Sequence, residues 1–129
     1  MKIAVDFDGT IVEDAYPEIG KPKQFAFAAL KELQKTNQLI LWTCREGRFL
    51  QDAVEFCKQN GVVFYAVNKN YPEEVCQDNG NFMRKIDADV FIDDRNIGGF
   101  PGWSAVYQQL SGDAQIVDTP KKRKWFWQK

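Results

Sequence analysis

Apolar and polar positions alternate along this chain in blocks that change period. Lys2–Phe7 (KIAVDF) is a short apolar run that ends in acids, the pattern of a buried strand. Between residues 23 and 35, Ala26, Ala29, Leu30 and Leu33 fall at helical spacing. Leu39–Trp42 (LILW) is a second strand. Leu50, Ala53, Val54 and Cys57 mark a helix over 46–60, which Asn60-Gly61 stops. Val62–Val67 and Val90–Ile92 read as strands three and four, the latter closed by Asp93-Asp94. Trp103–Leu110 reads as a helix after Pro101-Gly102, and Gln115–Val117 as a short fifth strand. Strand, helix, strand, helix, strand predicts an α/β domain: one Rossmann-like unit, a parallel five-stranded sheet with helices on both faces. Its domain is expected over 1–120, followed by a basic-aromatic tail over 121–129.

Composition narrows the chemistry. With 129 residues and 44% hydrophobic side chains, one packed domain is expected and disorder is not. No apolar run approaches the roughly 20 residues of a membrane span, and Asp6 comes too early for a signal peptide, so no membrane partner and a cytoplasmic location are expected. Histidine is absent, and Cys44, Cys57 and Cys76 show no metal-type or redox-type spacing. Serine–histidine and cysteine–histidine catalysis are thereby excluded. Cys44 reads as a small apolar residue more than as a nucleophile. The net charge of −1 hides an asymmetry: 121–129 holds five basic residues, leaving 12 basic against 18 acidic side chains elsewhere. That body is unlike a general nucleic-acid binder. The tail, with Trp125, Phe126 and Trp127 beside the basic residues, fits docking on a neighbouring subunit, and leaves nucleic acid open as a partner.

Parallel sheets bind ligands at the carboxyl ends of their strands. Here those ends carry Asp6-Phe7-Asp8-Gly9-Thr10, Thr43-Cys44-Arg45-Glu46, Asn68-Lys69-Asn70 and Asp93-Asp94-Arg95-Asn96. Four carboxylates converging on one edge repel one another, and a hard divalent cation such as Mg²⁺ resolves that. Asp6 and Asp8, two apart on an extended chain, share one side. One can attack phosphorus while the other acts as acid and then base. Thr43 and a nearby lysine can hold phosphoryl oxygens. Arg45 and Arg95 read as exposed loop residues, for substrate contact or for surface pairs with Glu46 or Asp94.

The run Asp6-Phe7-Asp8-Gly9-Thr10 resembles the first motif, D-x-D-G-T, of the haloacid dehalogenase superfamily. Thr43 after LILW resembles its second motif, and Asp93-Asp94 after VFI its acidic fourth motif. The resemblance spans residues 1 to about 96. It implies Asp6 as nucleophile and metal ligand, Asp8 as general acid/base with its backbone carbonyl on the metal, and Asp93 and Asp94 at the Mg²⁺. It implies Thr43 and a lysine on the phosphoryl group. Lys85 and Lys69 compete for that lysine, and Lys85 is favoured because it shortly precedes the fourth strand. Cys44 and Arg45 join Thr43 and Lys85 as expected substrate-binding residues. Neither insertion between motifs has room for a cap domain. Capless members of the superfamily take macromolecular substrates or oligomerise so that a neighbour covers the site. Residues 12–24 are the expected flap, with Tyr16 placed to touch substrate. The expected function is a phosphomonoesterase working through an aspartyl-phosphate on a phosphorylated small molecule or macromolecular end. The alternative is a non-catalytic or receiver-like phosphoryl-binding module.

Overall fold

The computed structural model describes residues 1–75 and 85–111. Four strands form one parallel sheet in the order β5-β4-β1-β6, where β1 is Lys2–Val5, β4 Gln38–Leu41, β5 Ala66–Val67 and β6 Val90–Ile92. β2 (Val12–Ala15) and β3 (Glu18–Pro22) form a separate antiparallel hairpin. Helices α1 (Ala26–Leu33), α2 (Gly47–Gln59) and α3 (Trp103–Ser111) complete the elements. The fifth strand expected at Gln115–Val117, and the tail, lie outside the described residues.

Strand register explains where the core divides. Ile3 pairs with Leu39 and Val5 with Leu41, and these four side chains face the helices. Ala4 pairs with Ile40 and with Phe91, and these face the other way. The larger cluster collects Ile3, Val5, Leu39 and Leu41 with Ala29 and Leu30 of α1, Cys57 of α2 and Trp103 of α3. All three described helices therefore share one face. Helices on both faces were expected; among the described residues the second face is instead covered by Ile86, with Ala88, Trp42 and Tyr65 around it. The topology supplies the reason. The chain steps from β1 to β4 to β5 in one direction, so right-handed crossovers put α1 and α2 on the same side. The described residues just before β6 put Ile86, with Ala88 beside it, on the opposite face.

Two boundaries differ from the sequence pattern. The strand expected over Val62–Val67 shrinks to Ala66–Val67. Its first residues are held by helix ends rather than by the sheet: the Val62 N–H closes on the Cys57 carbonyl, and the Val63 N–H donates to Gln34 Oε1 at 3.0 Å. Gln34 also donates to the Gly61 carbonyl at 2.7 Å, so one side chain pins the whole turn. The segment read as a loop-like flap is an antiparallel hairpin with a register shift between Val12 and Asp14. Its charged sequence, VEDA and EIGKP, has little strand propensity. Tertiary contacts, described next, hold it.

Candidate metal centre

The loop after β1 makes the first half of the site. The Gly9 N–H donates to the Val12 carbonyl at 2.7 Å, and the N–H groups of Thr10 and Ile11 both close on the Phe7 carbonyl, so the chain turns sharply. Thr10 is fully buried within that turn. Its hydroxyl donates to Asp6 Oδ2 at 3.0 Å and lies 3.4 Å from Asp94 Oδ1. Its carbonyl accepts the buried indole N–H of Trp103 at 2.8 Å, which braces the loop from α3. The second half comes from β6, whose end is fixed beside β1 by the Asp6 N–H on the Ile92 carbonyl at 3.0 Å. Asp93 and Asp94 follow at once. The Arg95 N–H closes on Asp93 Oδ1 at 3.0 Å, and Asn96 Nδ2 on the Asp93 carbonyl at 2.8 Å.

Asp6, Asp93 and Asp94 each present a carboxylate oxygen, and the three oxygens lie within 4.8 Å of one another. This triad can hold a metal ion. The strain of assembling it shows in Asp6, whose carboxyl is pushed up to about 7, first by burial and then by the charge of Asp93. Burial also raises Asp94, but its hydrogen bonds to Asp6, Asp93, its own backbone and Thr10 outweigh that and leave it below its ordinary value. Asp6 is thus the group that takes the proton when no cation is present. An all-oxygen set of hard, crowded carboxylates suits Mg²⁺ better than a soft metal. Removing the Thr10 hydroxyl removes a donor that favours ionised Asp6. Thr10→Val is therefore expected to move the Asp6 titration further up, read as the pH midpoint of its carboxyl ¹³C shift.

Asp8 stands apart from the triad. Arg45 grips it with two hydrogen bonds, Nε to Oδ2 at 2.7 Å and Nη2 to Oδ1 at 2.8 Å. Arg45 was expected at an exposed loop position; it is only 2% exposed. Its guanidinium also donates to the carbonyls of Pro17 and Glu18 at the hairpin turn, at 3.2 and 2.8 Å, and to that of Phe49 at 3.2 Å. The rings of Phe7 and Tyr16 lie 5.1 and 5.0 Å from its central carbon. These bonds, with Tyr16 edge-on to Phe49, fix the hairpin against the start of α2. Arg95, by contrast, is exposed as expected.

The remaining predicted residues surround the strand ends. Thr43 donates its N–H to Asn68 Oδ1 at 2.8 Å, and its Oγ1 accepts the Arg45 N–H at 3.1 Å. Asn68, in the left-handed region at φ 56°, was not singled out by sequence; an asparagine directly after a strand is the signal that marks it. Cys44 is exposed beside Thr43. Lys85 is exposed, with its ammonium 5.4 Å from the centre of the Phe91 ring. Lys69 follows Asn68 and is half-buried. Asn70 Oδ1 accepts the Asp87 N–H at 2.7 Å, so the two lysine-bearing segments lie side by side.

No family model matches the chain, and no curated protein matches it. A solved structure does: a conserved protein coded by a locus of Bacteroides thetaiotaomicron is 50% identical, over 87% of this chain and 90% of that one, with a TM-score of 0.78. No helix among the described residues is long and apolar enough to cross a membrane.

Proposed function

The chain belongs to the family of that conserved Bacteroides thetaiotaomicron protein, and within it we propose a Mg²⁺-dependent phosphomonoester hydrolase of the haloacid dehalogenase type. The observation that carries this reading is the Asp6–Asp93–Asp94 triad at the ends of two adjacent parallel strands. A second carboxylate, Asp8, stands two residues from Asp6, and Thr43 at the end of the next strand. Asp6, Asp93 and Asp94 would hold Mg²⁺, which when bound neutralises charge on the carboxylates and the phosphoryl oxygens.

This chain's own groups then divide the work. An Asp6 carboxylate oxygen attacks phosphorus, forming the aspartyl-phosphate as the ester P–O bond breaks. The Asp8 carboxyl gives its proton to the leaving oxygen. Asp8, now ionised, takes a proton from water as that water attacks the aspartyl-phosphate, which frees phosphate and restores Asp6. The Thr43 hydroxyl and Lys85 hold the phosphoryl oxygens. The substrate is a phosphorylated small molecule or a macromolecular end, with a second copy of the chain a further partner. A phosphoryl-binding switch needs no acid/base two residues from its acceptor, and this chain keeps Asp8 there.

The test is phosphate release from a panel of phosphomonoesters with and without Mg²⁺. Release that requires Mg²⁺ and disappears in Asp6→Asn supports the proposal. No release, together with no phosphate trapped on Asp6, refutes it and leaves the non-catalytic module. Within the same panel Lys85→Ala is expected to lose far more kcat/KM than Lys69→Ala; the reverse order assigns the phosphoryl lysine to Lys69.

A further inference from the structure

Arg45 is the most heavily committed side chain near the site. A guanidinium has five N–H donors. Here Nε bonds Asp8, Nη1 bonds Pro17 and Phe49, and Nη2 bonds Asp8 and Glu18. Every donor is spent inside the protein, and the side chain is buried between the Phe7 and Tyr16 rings. None is left for a phosphoryl oxygen. The sequence expectation that Arg45 binds substrate directly therefore gives way to a different role.

That role follows from what the five bonds join. Two carbonyls belong to the hairpin turn, one to the first turn of α2, and the carboxylate to the residue proposed to move protons. We infer that Arg45 is a positioning residue that seats the β2–β3 hairpin and orients the Asp8 carboxylate as one unit. An ionised carboxylate has about four acceptor sites. Arg45 occupies one on each oxygen, which fixes the plane of the group and leaves a position free for the proton that Asp8 gives to the leaving oxygen and then takes from water. Without this grip Asp8 samples several rotamers, and proton transfer, which needs hydrogen-bond geometry, slows. Lysine cannot substitute. Its ammonium has three donors, no planar fork and no stacking surface.

The inference rests on the phosphatase reading, and its experiment separates the two. We would measure kcat/KM, with Mg²⁺, for β-glycerophosphate and for p-nitrophenyl phosphate. The alkoxide of the first must be protonated to leave, and p-nitrophenolate leaves without a proton. Arg45→Lys is expected to cost about 100-fold on the first ester and less than about fivefold on the second. In an Asp8→Asn background the same substitution is expected to change neither. Amide exchange in residues 12–22 is expected to quicken in Arg45→Lys. Equal losses on the two esters, or an undiminished bias in the Asp8→Asn background, would overturn the inference while leaving the phosphatase intact. Should Arg45→Lys fail to fold, Tyr16→Leu decides. Tyr16 is 54% exposed, and loss of its ring removes one stacking surface from the guanidinium. The same bias, reduced to about threefold to tenfold, supports the inference, and no bias overturns it. Wild-type protein that releases phosphate from neither ester removes the phosphatase reading and this inference with it.

Discussion

Asp6→Asn is expected to abolish phosphate release and, in the same molecule, to raise the stability of the metal-free protein at pH 8. The activity loss follows from removing the attacking oxygen and is expected to be at least about a thousandfold. The stability gain follows from linkage. The Asp6 carboxyl is raised from 3.8 to about 7 in the folded protein. Below pH 3.8 it is neutral in both folded and unfolded chains, and its ionisation costs nothing. As pH rises from 4 to 7 the unfolded chain ionises freely while the folded one resists, so stability falls. Above pH 7 the folded chain ionises too and the penalty stays constant, at no more than about 4 kcal/mol. Asparagine escapes it. Its carbonyl still accepts from Thr10, and its amide can donate to Asp94 in place of the Asp6 proton. Urea melts should therefore show a gain that is near zero at pH 4 and largest at pH 8. Millimolar Mg²⁺ should stabilise the wild type by mass action and stabilise the variant less. A gain independent of pH would mean that Asp6 is not the strained group.

Gly9→Ala is expected to damage the same centre from the other side. Gly9 has φ +87°, and a Cβ there would collide with the Asp94 carboxylate. The left-handed backbone alone costs about 1–2 kcal/mol in a residue with a side chain. Displacing Asp94 adds to that and breaks the triad. A total of about 2–4 kcal/mol is expected, seen as a lower urea midpoint with an unchanged slope, together with weaker Mg²⁺ stabilisation. Gly98→Ala separates the two causes. Gly98 has φ +93° but nothing within 4 Å of a Cβ, so it should show the backbone cost and keep the metal response.

Much of this arrangement was readable in the chain because it depends on near neighbours. Asp6 and Asp8 follow one apolar run and Asp93 and Asp94 another, and the strand–helix alternation of a parallel sheet puts both ends on one edge. The helices over Leu50–Cys57 and Ala26–Leu33 emerged from spacing in the same way. What escaped depends on distant backbone. The burial of Arg45 requires carbonyls at Pro17, Glu18 and Phe49 and a carboxylate 37 positions away, and no local period encodes that set. The surplus of acids at the sheet edge was read as a call for one divalent cation, whereas Asp8 is met by this guanidinium. The hairpin was read as a flap because the span between the first two motifs has no room for a cap domain, and the Arg45 bonds that seat it have no local signal. The single-faced placement of the three described helices follows from strand order, which continuous apolar strands do not reveal.

The bond from the Trp103 indole to the Thr10 carbonyl spans 93 positions, and it sets an order on how this protein can mature. β1, β4 and β5 occupy the first 67 residues and can pair as they leave the ribosome. Asp6 and Thr10 precede β4 and β5 in that process, whereas Asp93, Asp94 and the indole that braces the Thr10 loop follow them. A nascent chain can thus pair three of the four strands well before β6 brings Asp93 and Asp94 beside Asp6, and late-forming long-range contacts are the slow ones. A chain truncated before Asp93 keeps only Asp6 of the acidic triad and has no brace for the loop that carries it.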